Sequence, residues 1–361
     1  MIMNEARAHN RLNVALGGAL VLVNKGFVQS LCLWFDDSRS SAELAYSDNL
    51  AATRRLMQLI RAMQRLGVRL DPDGADQNAD RSDAELQSTE LAIWSSDLQV
   101  VVRTLDALRG AQAELESAGV EGGAVDAIVC LAEECEAFAA ALRSRAENSL
   151  AHESGASAHR VSDAEGTNLE GFLKGLADTD STLLNGRLES ERAPDDPLFP
   201  VLNTVLGNHF LAIEQFFLSG FLLESEGQTA LAEVRIRHSL AEMSAAYRVA
   251  QRILVLGAKP ASVFSPDLHV PHRIDVGSSA THALSGDLIL TERLEGALEH
   301  ACAAPAVAAD RRSVELLSVA IGLETEMSDW LSTQKLALSQ SAQPAPASGA
   351  FDHMLERWSV E

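Results

Sequence analysis

The stretch Leu202–Pro260, LNTVLGNHFLAIEQFFLSGFLLESEGQTALAEVRIRHSLAEMSAAYRVAQRILVLGAKP, decides how the rest of the chain is read. Apolar residues recur three and four apart: Leu202, Leu206, Ile213 and Phe217, then Leu231, Val234, Leu240 and Leu254. That is the 3.6-residue period of an amphipathic helix. The polar turn Glu224–Gln228 splits the stretch, so it predicts a pair of long helices. In the second of them Glu242 and Met243 are adjacent, which sets a carboxylate and a thioether about 100° apart round the axis.

The same pattern occurs earlier in the chain. A shift of 190 residues, with no gap, lays Leu12-Asn13 on Leu202-Asn203, Leu16-Gly17 on Leu206-Gly207 and Phe27 on Phe217. It also lays Leu66-Gly67 on Leu256-Gly257, Asp97-Leu98 on Asp287-Leu288, Ala107-Leu108 on Ala297-Leu298, Ala111 on Ala301 and Glu134 on Glu324. One constant offset over so long a span is the mark of an internal duplication. Helices are expected over 5–36, 42–66, 84–118 and 123–148, and again over 197–224, 228–257, 281–303 and 307–338. The chain therefore divides into a first repeat, 1–148, a Ser/Gly/Asp/Glu-rich linker, 149–195, a second repeat, 196–338, and a tail, 339–361.

Composition narrows the classes of function. With 51 acidic and 29 basic residues the net charge is −22, which repels a phosphate backbone and argues against nucleic-acid binding. No uninterrupted run of about 18 apolar residues predicts a membrane span. The N-terminal apolar run is broken by Asn13 and carries Glu5 where an export signal would be basic. Cys32, Cys130, Cys135 and Cys302 form no CxxC pair, and buried reduced thiols in a cytoplasmic protein are expected. The acidic connection DPDGADQNADRSDAE lacks the glycine register of a calcium loop, and His269-x-x-His272 lies in a proline-bearing crossover.

A four-helix bundle with one long connection between its second and third helices is the ferritin-like topology. On that frame LNTVLGNHFLAIEQFFL and LAEMSAAYRVAQRILVLGAKP resemble the bacterioferritin family, with a weaker likeness over 281–335. The resemblance implies an all-α protein of two ferritin-like four-helix bundles in tandem, a homo-oligomer, and chemistry with iron and haem b. Family members hold two iron ions with one Glu from each of two helices and a Glu-x-x-His pair from each of the others. Carried over, those positions read His209, Glu242, Ala245, Thr291, Glu324 and Met327 in the second repeat. In the first they read Ala19, Ala52, Arg55, Val101, Glu134 and Ala137. His209, Glu242 and Glu324 are the candidate metal ligands, and the ferroxidase set is mostly missing. Arg55 and Glu134 are expected to form a buried ion pair in place of metal.

Met243 stands where the family's haem methionine stands, whereas the first repeat has Thr53. The expected function is haem binding in iron homeostasis. From a different class, the alternative is a non-catalytic scaffold. That protein would dock a partner through the tail, where Phe351, Met354, Leu355 and Trp358 fall at helical spacing.

Overall fold

The computed structural model describes residues 2–35, 38–70, 90–153, 192–193, 195–261, 276 and 279–339, and every regular element among them is a helix. The chain forms two compact units, Met1–Leu169 and Glu170–Glu361. Unit 1 contains α1 (Ile2–Phe35), α2 (Arg39–Arg65), α3 (Glu90–Ser117) and α4 (Gly123–Glu153). Unit 2 contains α5 (Leu198–Ser225), α6 (Thr229–Val255), α7 (Ala280–Ala303), the single turn α8 (Pro305–Ala308) and α9 (Arg311–Ser339). In unit 1 the first helix packs on the second and third, and the fourth on the second and third. The same ring of neighbours recurs in unit 2 among α5, α6, α7 and α9.

The helix ends obey the shift read from the sequence. The second helices run over 39–65 and 229–255, and the first helices end at 35 and 225. Each second helix stops the same way. Gly67 (φ 67°) and Gly257 (φ 89°) take the left-handed conformation that L side chains resist. Their N–H groups close on Gln64 and Leu254, and the following N–H groups reach back to Met63 and Ile253. This is the Schellman stop of an α-helix. Beyond it, Asn13 donates to the Arg69 carbonyl at 3.0 Å in unit 1. In unit 2 the equivalent Asn203 accepts from the Ala261 N–H at 2.7 Å. Both asparagines tether the start of the long connection to the first helix.

Each core is built from the expected stripes. Leu12, Leu16, Leu20 and Val23 are buried in unit 1, and Leu202, Leu206 and Ile213 in unit 2. Leu240, counted in the apolar stripe of α6, instead faces outward at 42% exposure, as does Leu50 at the same place in α2 at 44%. The reason is angular. Glu242 is wholly buried, and a residue two positions earlier lies about 200° round the helix. The α4 helix also runs on to Glu153, into the stretch read as linker. Of the four free cysteines only Cys135 is buried, and Cys130 is exposed.

Two helical stretches, Asn4–Leu33 and Leu198–Ser225, are long and apolar enough to cross a membrane by length and composition. Their apolar windows are 76% and 83% buried within the protein, so that hydrophobicity serves the bundle core. The acidic connection, most of the linker, His269, His272 and the tail residues Phe351, Met354, Leu355 and Trp358 lie outside the described residues.

Candidate functional site

The centre of unit 2 is a polar cluster with no exposure to solvent. His209 on α5, Arg235, His238 and Glu242 on α6, Asp287 and Thr291 on α7, and Glu324 and Met327 on α9 are all 0% exposed. On α6 the spacing of Arg235, His238 and Glu242 puts all three on one inward face, since residues three, four and seven apart share a side. Three of the expected site residues are brought together here. His209 Nδ1 lies 2.7 Å from Glu242 Oε2. Glu242, Glu324 and His238 each offer an atom within 4.8 Å of the others.

Two members were not anticipated from the sequence. Arg235 Nε donates to Asp287 Oδ2 at 2.8 Å. Asp287 also accepts from Gln215 Nε2 at 3.0 Å and Ser219 Oγ at 2.7 Å. The guanidinium stacks 4.0 Å from the Phe216 ring centre, and its Nη1 donates to Met327 Sδ at 3.1 Å. The same Nη1 lies 2.8 Å from His238 Nδ1. His238 in turn stacks on Phe216, with ring centres 4.3 Å apart.

That last hydrogen bond fixes the chemistry of His238. Arginine has only donors, so His238 Nδ1 must accept, and a neutral imidazole then carries its proton on Nε2. Nε2 faces the carboxylates, 3.1 Å from Glu242 Oε1 and 3.8 Å from Glu324 Oε1. Burial first, and the Arg235 charge with it, push the His238 pKa down to about 4, which keeps the ring neutral. Burial and the neighbouring Glu242 carboxylate push Glu324 up to about 8, so it retains its proton at neutral pH. Burial alone would raise Glu242, but hydrogen bonds from Glu324 and His209 hold it below its ordinary value. Burial also lowers Arg235, against the pull of Asp287, yet a guanidinium is effectively never deprotonated in a protein.

The cluster is therefore a relay. A fixed cation, held by Asp287, orients a neutral histidine whose Nε2 faces two buried carboxyl groups, Glu242 and Glu324, and of these Glu324 is the one pushed toward its protonated form. Thr291 and Met327, at two positions where the family resemblance leads one to expect ligands, are buried among these groups. Glu292, next to Thr291, is exposed. Met243 is half-buried and stands outside the relay, on the neighbouring face of α6.

Unit 1 keeps one part of this arrangement. Asp97, equivalent to Asp287, is paired with Lys25 at 3.2 Å, and Lys25 also donates to Ser96. Lys25 occupies the position of Gln215, and Ala45 that of Arg235. The buried aspartate is common to both units, while its cation comes from the first helix in one and the second in the other. The expected ion pair between Arg55 and Glu134 does not form. Glu134 is half-exposed and takes the Cys130 thiol at 3.8 Å, while Arg55 lies 4.5 Å over the Phe138 ring. Helix α4 turns the Glu134 carboxylate toward its own preceding turn.

The missing members had a signal in the sequence. Arg235-x-x-His238-x-x-x-Glu242 is an inward-facing spacing, but a mid-helix arginine is ordinarily placed on the surface. No known protein-family model matches the chain.

Proposed function

We propose that this chain is a non-catalytic, bacterioferritin-like scaffold protein in which an arginine has taken over the charge role of the metal ions. The observation that carries this reading is the buried Arg235, bound to Asp287 and directed at His238 and Met327. A di-iron centre of this type needs four carboxylates and two histidines. Here two carboxylates, Glu242 and Glu324, remain at the expected positions, and a permanent positive charge stands beside them. A single metal ion fits poorly too. Ligation through His238 Nε2 needs a lone pair there, and Arg235 holds the tautomer in which Nε2 carries the proton. The site has the groups of a metal centre and the electrostatics of a salt-bridge network.

Under this reading the protein retains the shape and pairing surfaces of its relatives without their iron oxidation. The tail residues Phe351, Met354, Leu355 and Trp358 are then the specific contact to a partner. The test is metal analysis of the full-length chain after incubation with Fe(II) or Co(II), together with the rate of Fe(II) oxidation in air. The expected result is no metal retained through gel filtration and no acceleration. One metal ion per chain, lost in Glu242→Ala, would sink the reading.

A second reading, haem carriage in iron homeostasis, is favoured by Met243. It is half-buried beside the wholly buried Glu242, so it is not committed to the core. A thioether at such a place could serve a haem shared between two copies of the chain. A Soret band that disappears in Met243→Ala and survives in Glu242→Ala supports this reading; a colourless preparation grown with excess haem precursor rules it out.

A further inference from the structure

Unit 1 contains a cavity of ≈ 20 Å³ lined by Ala19, Ala52, Arg55, Thr104 and Cys135 among others. Its origin is legible from the repeat. Shifted by 190 residues, Ala19 falls on His209 and Ala52 on Glu242. Unit 2 fills the corresponding space with an imidazole and a carboxylate, whereas unit 1 has two methyl groups there. A volume of that size holds about one water-sized species.

The cavity has a cation on its wall. Arg55 Nη2 is buried and has no hydrogen-bond partner among the described residues. The nearby carboxylates do not take it. Asp48 is held by both terminal nitrogens of Arg145, and Glu134 takes the Cys130 thiol. The rest of the lining is almost wholly apolar. Thr104 spends its hydroxyl proton on the Val100 carbonyl at 2.9 Å, which leaves the Cys135 thiol as the other donor near the guanidinium. Asp48 and Glu134 act on the Arg55 charge only from a distance, so its buried N–H is left without an acceptor, and a single anion in the cavity relieves that.

We propose that unit 1 binds one halide-sized anion, of the chloride class, against Arg55 in this cavity. The anion supplies the negative charge that unit 2 builds in covalently as Glu242. Size excludes phosphate, sulfate and larger carboxylates. A water molecule is the competing occupant, and the charge on Arg55 is what favours an anion over it. A halide accepts one charged N–H and one S–H and tolerates apolar walls elsewhere.

The experiment uses the full chain. Crystals grown in bromide are measured at the bromine absorption edge, and thermal unfolding is compared in sodium chloride and sodium gluconate at equal ionic strength. The expected results are an anomalous peak within hydrogen-bonding distance of Arg55 Nη2 and a Tm higher by roughly 2–4 °C in chloride. Both are lost in Arg55→Leu. Ala52→Leu, which keeps the arginine and fills the space, loses them as well and guards against a folding defect in the first variant. A cavity empty or holding only water in bromide overturns the proposal. So does a chloride effect of equal size in the wild type and Ala52→Leu.

Discussion

Replacing Arg235 by methionine has two consequences of opposite kind. It strands Asp287 as a buried carboxylate without its cation, which costs about 3–5 kcal/mol. It also releases His238 from the donor that fixes its tautomer. Arg235→Met is therefore expected to be less stable in urea and, unlike the wild type, to bind Co(II) with a tetrahedral visible spectrum. Failure to gain metal would mean that more than the arginine keeps metal out. Glu324 gives the pH dependence. Its folded pKa of about 8 lies above its ordinary 4.5, so its contribution to stability is fully present below about 4.5 and is lost as pH rises to about 8. Glu324→Gln, which imitates the protonated form, should flatten the wild-type decline between pH 5 and 8 in chemical denaturation. His209, Glu242 and Glu324 were legible through a family resemblance that supplied their positions. Arg235 and His238 were not, because nothing in a linear spacing says that a charge on the apolar face of a helix has found a partner.

At the scale of helices, the constant shift carried most of the information. It gave the ends of the second helices, the glycine stops and the shared aspartate, since these depend on local geometry that a duplication copies intact. The cation facing that aspartate was not fixed by the shift. Lys25 and Arg235 approach equivalent carboxylates from different helices, and either solution neutralises the charge. This predicts a rescue. Gln215→Lys alone should destabilise, because it sets a second cation beside Arg235. In the Arg235→Met background it should recover more than half of the loss, by rebuilding the unit 1 pair in unit 2. A double-mutant cycle in urea measures the coupling, and additive effects would refute the equivalence. A second element-level clamp belongs to unit 2 alone. Arg252 in the last turn of α6 binds both Asp310 oxygens at 2.8 Å, and Asp310 also takes Ser313 at the start of α9. Asp310→Ala should cost about 3 kcal/mol at neutral pH. Burial opposes ionisation of Asp310, but Arg252 and Ser313 hold its pKa below the ordinary value. The difference from wild type should therefore vanish as pH falls below about 4.

For the whole molecule, the duplication makes a statement about cooperativity. Each unit has its own buried stripe and its own aspartate–cation pair, and each closes its own ring of helices. A body with its own core unfolds as its own cooperative transition unless a large apolar interface joins it to another. Leu16 and Leu206 are equivalent by the shift and both 0% exposed, so they are matched probes of the two cores. Leu→Ala at such a site costs about 2–5 kcal/mol through lost burial and the cavity left behind. In differential scanning calorimetry of the full chain, Leu16→Ala should lower one transition and leave the other in place. Leu206→Ala should do the reverse. The chloride dependence proposed for unit 1 should travel with the Leu16-sensitive transition, and the stability change of Arg235→Met with the Leu206-sensitive one. If both leucine variants shift a single common peak, the two units fold as one body.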